Sequence, residues 1–237
     1  MAWERKAQEA GRRLAAIERG HAPAVFASSL GLEDMVLTDL IIRHAPGVSV
    51  FTLDTGRLPE ETYRLIDQVA ERYGVRMMVY FPDMRAVEEF TRRYGMNAFY
   101  ESVPLRRECC RIRKVEPLRR ALAAKKAWIT GLRREQATTR QDVGLSEFDA
   151  DHGLTKFNPL ADWTLADVWD YIRALDVPYN VLHDQDYPSI GCAPCTRAVA
   201  PGEDLRAGRW WWESGETKEC GCHAREKEPL ATRHGAA

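Results

Sequence analysis

The sequence predicts an α/β protein, a parallel twisted sheet flanked by helices. Two observations predict it. Short apolar runs of strand length alternate with longer stretches whose apolar residues recur at helical spacing. Proline and glycine stand near the helix boundaries, and polar Ser, Gly and Asp follow the apolar runs, as expected where strands deliver the chain to a ligand crevice. Strands separated by helices pair in parallel and take helices on both faces.

The elements follow in order. "MAWERKAQEAGRRLAAIERG" reads as an amphipathic helix with Ala, Leu and Ile on one side. "APAVFASSL" is a buried strand with its exit loop, and "EDMVLTDLIIRH" a helix carrying Met35, Val36, Leu40 and Ile42. "VSVFTLDTG" is a second strand ending in a turn. "PEETYRLIDQVAERYG" is a helix with Pro59 near its start and Gly74 just beyond its end. "VRMMVYF" supplies a third strand, "KVEPLRRALAAKK" a helix, and "AWITG" a further strand. From Thr155 the texture changes: in "NPLADWTLADVWDYIRALDVPYN" Thr164 caps a helix, with Asp167 three residues on and Leu165, Val168, Trp169 and Ile172 at helical spacing. Beyond Ala198, Gly, Pro and charge dominate, which predicts a mobile C-terminal tail. The division expected is a nucleotide-binding body over 1–200 and a functional tail over 201–237. The strand exits "SSLGLED", "LDTGR" and "TGLRREQ" are the expected ligand-facing edge.

Composition narrows the function. The 237 residues are 45% apolar and 29% charged with a formal net charge of −1, so no global positive field points to nucleic acid. The charged N-terminus is unlike a secretory signal, and no apolar run approaches the roughly 20 residues that cross a bilayer. A cytoplasmic protein with no membrane or nucleic-acid partner is expected. In a reducing compartment the six cysteines favour metal binding or thiol chemistry over structural disulfides.

Those cysteines fall in three pairs. Cys109 and Cys110 sit in the basic stretch "RRECCRIRKVEPLRR", Cys192 and Cys195 in "GCAPCTR", and Cys220 and Cys222 in "KECGCH". The C-x-x-C spacing alone is ambiguous among a redox disulfide, zinc and an iron–sulfur cluster. Adjacent cysteines converge poorly on one tetrahedral ion, whereas a cubic 4Fe–4S cluster offers separate corners, and Arg106, Arg107, Arg111, Arg113 and Lys114 offer balancing charge. The competing set is zinc on Cys192, Cys195, Cys220 and Cys222, which leaves the vicinal pair unexplained. Buried apolar thiols are the third possibility for that pair. In the tail, Lys218 and His223 flank Cys220 with the charge a thiolate requires, and Gly221 leaves room for a substrate.

Taken together, "CC", "GCAPCTR", "EDLRAGRWWWE" and "KECGCH", with "SSLGLEDMVL", "LDTGRLPEETY", "TGLRREQATTR" and "FNPLADWTLADVW" in the same order, resemble the assimilatory adenylyl-sulfate (APS) reductases of the phosphoadenylyl-sulfate (PAPS) reductase family. The resemblance spans nearly the whole chain. It implies an adenine-nucleotide-binding fold related to the PP-loop ATP pyrophosphatases, one 4Fe–4S cluster on Cys109, Cys110, Cys192 and Cys195, and a preference for APS over PAPS. It further implies thioredoxin-dependent reduction of APS to sulfite and AMP: Cys220 attacks the sulfate sulfur, an S-sulfocysteine forms, and thioredoxin (or glutaredoxin) releases sulfite. A homo-oligomer is implied as well. A PAPS reductase or dual-specificity enzyme is the alternative within the family.

On this reading Ser28, Ser29 and Gly31 contact phosphate, Leu53, Asp54, Thr55 and Gly56 line the adenosine pocket, and Gly131 lies at the third strand exit. Arg140 serves the phosphosulfate. Lys114, Arg206, Arg209 and His223 offset the repulsion between thiolate and sulfate. The tryptophans of "RWWWE" are expected only to pack. One position departs from the family: Cys222 stands where Leu or Ile is usual, so it is a bystander, a resolving thiol or a competitor of Cys220, with a bystander or weak regulatory partner favoured because a C-x-C disulfide closes a small strained ring. ATP-dependent tRNA thiolation is disfavoured because "SSLGLED" lacks the paired glycines of an S-G-G-x-D-S loop. A zinc- or cluster-based redox sensor is weakened by the near-neutral charge.

Overall fold

The computed structural model describes residues 2–136 and 140–213. Of the expected tail over 201–237, residues 214–237, with Cys220, Cys222 and His223, lie outside the described residues.

Six strands form one sheet in the order β3-β2-β1-β4-β6-β5. They are β1 (Ala24–Ser28), β2 (Ser49–Leu53), β3 (Met78–Tyr80), β4 (Ala127–Ile129), β5 (Ser146–Asp149) and β6 (Leu154–Phe157). All pairings are parallel except that of β5 with β6, so the expected parallel sheet carries one antiparallel edge strand. The β5–β6 hairpin turns through Gly153, whose φ of 68° favours glycine. Its strands are four residues long and partly exposed, with Glu147 paired to Lys156 at 3.0 Å, so they carry no apolar signature. β3 covers only three of the seven residues in the expected strand.

Side chains alternate between two apolar layers, as strand geometry requires. On one face, Ala24, Phe26, Val50, Ala127 and Ile129 pack with residues of α1 (Ala2–Gly20), α2 (Leu32–His44), α3 (Glu60–Tyr73) and α7 (Leu165–Leu175). On the other, Val25, Phe51 and Trp128 meet Leu118, Ala121 and Leu122 of α6 (Glu116–Leu122). Helices therefore cover both faces. Buried Asp39 ties the first layer together: it accepts from Tyr171 at 2.5 Å and Tyr73 at 3.1 Å and pairs with Arg43 at 2.7 Å. The expected helix ends hold where local chemistry specifies them. Gly74 closes α3 in the left-handed conformation, and Thr164 with Asp167 forms a reciprocal capping box on α7.

A helical run beyond the sheet and a gap between strand ends position the site. α4 (Met84–Tyr94) leads to α5 (Val103–Cys110), which runs into α6 through a π-helical turn, Arg111–Val115. Pro117 has no N–H to donate one turn back, which removes a ladder bond where the helix widens. Cys110 is therefore interior to a long helical run, not near its start, and Lys114 belongs to the wide turn. Strand order reverses direction at β1, between β2 and β4, and there the carboxyl ends part to leave a crevice.

Candidate functional site

A cavity of about 500 Å³, a size typical of small-molecule sites, opens over that crevice. Its lining includes Ser28 at the end of β1 with Ser29 and Gly31 beyond it, Leu53 at the end of β2 with Thr55 beyond it, and Gly131 after β4. Lys114, Arg140, Arg206 and Arg209 also reach it. Asp54 and Gly56 are not among its lining residues. Asp54 instead accepts from Gly56 N at 2.7 Å and Tyr63 at 2.9 Å, so the pair shapes the turn behind the wall, with Gly56 at φ 69°.

The loop after β1 is braced from within. Ser29 donates both its backbone N–H and its hydroxyl to Asp34 Oδ2, each at 2.6 Å. These are two of the donors expected for phosphate, and here a carboxylate of the chain holds them. Burial pushes the Asp34 carboxyl up to about 6, with the Ser29 bonds working in the opposite direction. Gly131 is needed for close approach: a Cβ there would collide with Asp34 Oδ1 and lie 3.1 Å from Glu33 Cβ. Nearby, buried Arg133 bridges Glu33 at 2.8 Å and Glu135 at 3.0 Å, and Arg140 donates to Gln136 at 2.7 Å. Sequence reasoning marked the segment "TGLRREQ" but not Arg133, whose role depends on Glu33 a hundred residues earlier.

Beside the cavity lies a second, small pocket lined by Cys109, Cys110, Cys192 and Cys195 together with Arg57, Arg106, Arg113 and Lys114. None of these four cysteines is joined in a disulfide. Of the five cations expected around the vicinal pair, Arg106, Arg113 and Lys114 line this pocket. Arg107 is exposed, and Arg111 turns outward to pair with Glu108 at 2.7 Å. Arg57, which the sequence did not single out, takes a place in the wall. Lys114 lines both pockets.

Cys195 is buried, and Cys109, Cys110 and Cys192 are half-buried. Phe99, Trp210 and Trp212 pack against them. Burial pushes the Cys195 thiol up to about 12, reinforced by Cys192 and Cys110, and raises that of Cys109 against the pull of Arg113. A metal bound by these thiols would have to displace their protons. Among the described residues, no three His, Cys, Asp or Glu groups close on a single ion. Four cysteines nonetheless line one pocket, a sulfur donor set of the kind that holds thiophilic metals. Thr55 Oγ1 lies 3.2 Å from Cys192 Sγ, and Arg113 donates to the Thr55 carbonyl at 2.6 Å, so the wall of the cavity and the cysteine pocket share a turn.

The segment after the C-x-x-C folds back over it. Thr196 and Arg209 form an antiparallel bridge, Arg197 N donates to Gly208 O at 3.0 Å, and Trp210 N donates to Cys195 O at 3.1 Å. A side chain at Gly208 would strike the Arg197 carbonyl. Trp210 is 2% exposed at φ 40°, a left-handed conformation that costs a non-glycine residue about 1–2 kcal/mol. The guanidiniums of Arg106 and Arg209 each lie 4.8 Å from its ring centroid. The tryptophan expected only to pack is thus also a wall of the cavity.

Comparison with known proteins agrees with this arrangement. Residues 23–198 match the family model described as the phosphoadenosine phosphosulfate reductase domain. The adenosine 5'-phosphosulfate reductase of Allochromatium vinosum is 59% identical over 205 residues, covering 86% of this chain and 80% of that one. That of Burkholderia cepacia is 55% identical, covering 92% and 87% respectively. The crystal structure of the PAPS reductase of Candida auris, a phosphate complex, superposes with a TM-score of 0.69 at 29% identity, covering 81% of this chain and 90% of its own. By sequence and by fold, the chain belongs to the phosphoadenosine phosphosulfate reductase domain family.

Proposed function

We propose that this protein reduces adenylyl sulfate to sulfite and AMP in assimilatory sulfate reduction. The observation that carries the reading is Lys114, which lines both the nucleotide-sized cavity and the pocket of four cysteines. A sulfonucleotide seated over the strand ends brings its anionic sulfate to Lys114, Arg206 and Arg209, all on the cavity wall. The relatives at 59% and 55% identity are APS reductases, whereas the PAPS reductase stands at 29%, which favours APS as substrate.

Cys220, on the C-terminal segment 201–237, supplies the nucleophile. Its thiolate attacks the sulfate sulfur; a sulfur–sulfur bond forms, the bond from sulfur to the bridging oxygen breaks, and AMP leaves with that electron pair. Cations on the wall, with His223, offset the meeting of two anions. One thiol of thioredoxin, or of glutaredoxin, then attacks the Cys220 sulfur and expels sulfite; its second thiol resolves the mixed disulfide, so the donor's dithiol provides both electrons. Cys109, Cys110, Cys192 and Cys195 are the residues that would hold a 4Fe–4S cluster. When bound, such a group supplies rigidity and a local field beside the sulfate site. The enzyme is read as cytoplasmic and oligomeric.

Mass spectrometry after mixing with APS in the absence of reductant tests the proposal. The sulfo adduct is expected in the native protein and in Cys222→Ser, and absent in Cys220→Ser. An adduct that persists in Cys220→Ser refutes the assignment of the nucleophile. Sulfite release faster from PAPS than from APS refutes the substrate.

A further inference from the structure

We propose that Glu213 is a positioning residue that fixes the root of the arm carrying the nucleophile, locked through Arg106 to the helix that bears Cys109 and Cys110. The inference rests on the reading of Cys220 as that nucleophile.

Arg106 and Glu213 are 107 residues apart, yet they form a two-pronged ion pair, Nε to Oε1 at 2.8 Å and Nη2 to Oε2 at 2.7 Å. Their side chains are only 1% and 2% exposed. Arg106 lines the cysteine pocket beside Cys110, one helical turn along α5. Its guanidinium also stacks on the strained Trp210, whose carbonyl accepts the Glu213 N–H at 2.8 Å. Both ends of the turn 210–213 are thereby held against the pocket wall. Removing two charges from water makes a buried ion pair a poor source of net stability. What it specifies well is geometry, because two parallel hydrogen bonds fix direction as well as distance.

Direction matters because of the length of chain that follows. Cys220 lies seven positions beyond Glu213, a span of at most about 25 Å for a fully extended chain. Releasing the clamp back to Trp210 lengthens that tether from seven positions to ten, and tether length alone then lowers the effective concentration of the thiol by only about twofold. A root that also aims the arm contributes more: loss of near-attack alignment costs about 10- to 100-fold in the chemical step. A tenfold threshold therefore separates a positioning clamp from a slack tether.

The test is single-turnover formation of the sulfo adduct by the full-length, iron-loaded protein at saturating APS without reductant. Glu213→Gln keeps the shape and one acceptor; Glu213→Asp keeps the charge with a shorter reach. The expected result is an adduct rate at least tenfold below native in Glu213→Gln and intermediate in Glu213→Asp, with AMP affinity and iron content within twofold of native in both. A loss smaller than tenfold overturns the proposal. So does a parallel loss of AMP affinity or iron in both variants, since Glu213 then only holds the pocket together. Cys220→Ser, run alongside, separates the two readings: an adduct there overturns the nucleophile, whereas its absence with a near-native rate in Glu213→Gln overturns the clamp alone.

Discussion

Replacing Asp34 by Asn removes a buried negative charge from the cavity wall while leaving an oxygen for both Ser29 donors. The Asp34 carboxyl is pushed from its ordinary 3.8 to about 6, chiefly by burial, with Glu33 adding repulsion and Ser29 and Arg140 opposing it. That gap amounts to about 3 kcal/mol, at about 1.4 kcal/mol per pH unit. Because the folded value is raised, the stability associated with the protonated form is complete below 3.8 and is lost as pH rises through about 6. At pH 8 both states are ionised and the folded protein bears the whole cost. At pH 5 it bears about half, because the folded carboxyl is still mostly protonated. Asp34→Asn is therefore expected to be about 3 kcal/mol more stable than native at pH 8 and between about 1 and 2 kcal/mol more stable at pH 5. Urea unfolding followed by tryptophan fluorescence at the two pH values measures both differences. An advantage equal at both pH values, or none at pH 8, would refute the claim that burial of this charge sets the shift.

Three further outcomes follow from the geometry. Lys114→Ala is expected to slow adduct formation by about 10²- to 10³-fold with iron content unchanged, read by mass spectrometry and metal analysis; undiminished turnover would break the proposed link between the two pockets. Gly131→Ala drives a methyl group into Asp34, so a stability loss of about 1–3 kcal/mol in urea is expected, together with weaker AMP binding. Asp39→Ala strands the buried Tyr171 hydroxyl and loosens that of Tyr73, for a loss of about 3 kcal/mol; a change below about 1 kcal/mol would show that water replaces the carboxylate.

The parts of the fold legible in the sequence are those that neighbouring residues specify. Val25 and Phe26 face opposite layers because adjacent strand residues must, so an apolar run there reads as a strand buried on both sides. Gly74 and the Thr164–Asp167 pair stop and start helices through contacts within a few residues. The β5–β6 hairpin escaped notice because its four-residue strands alternate charge with modest apolarity and are stabilised by a neighbour, β4, that only the fold supplies. The π-turn escaped because a helical pattern with a proline resembles an ordinary helix boundary.

For the site the division is similar. The types and spacings of Cys109–Cys110 and Cys192–x–x–Cys195 announced metal or thiol chemistry, since thiolates and cations do little else in such density. Which cysteines share a pocket, and which of the surrounding arginines face it, depended on tertiary structure. Arg111 and Arg113 are two residues apart, yet one pairs with Glu108 at the surface and the other reaches Thr55 across the fold. By itself, then, the sequence determined the chemistry available and the local elements that carry it, because both arise from residue types and short-range periodicity. Only the tertiary structure decided that Lys114 stands between the two pockets and that Glu213 meets Arg106, because burial and long-range pairing exist only once the sheet has closed its layers.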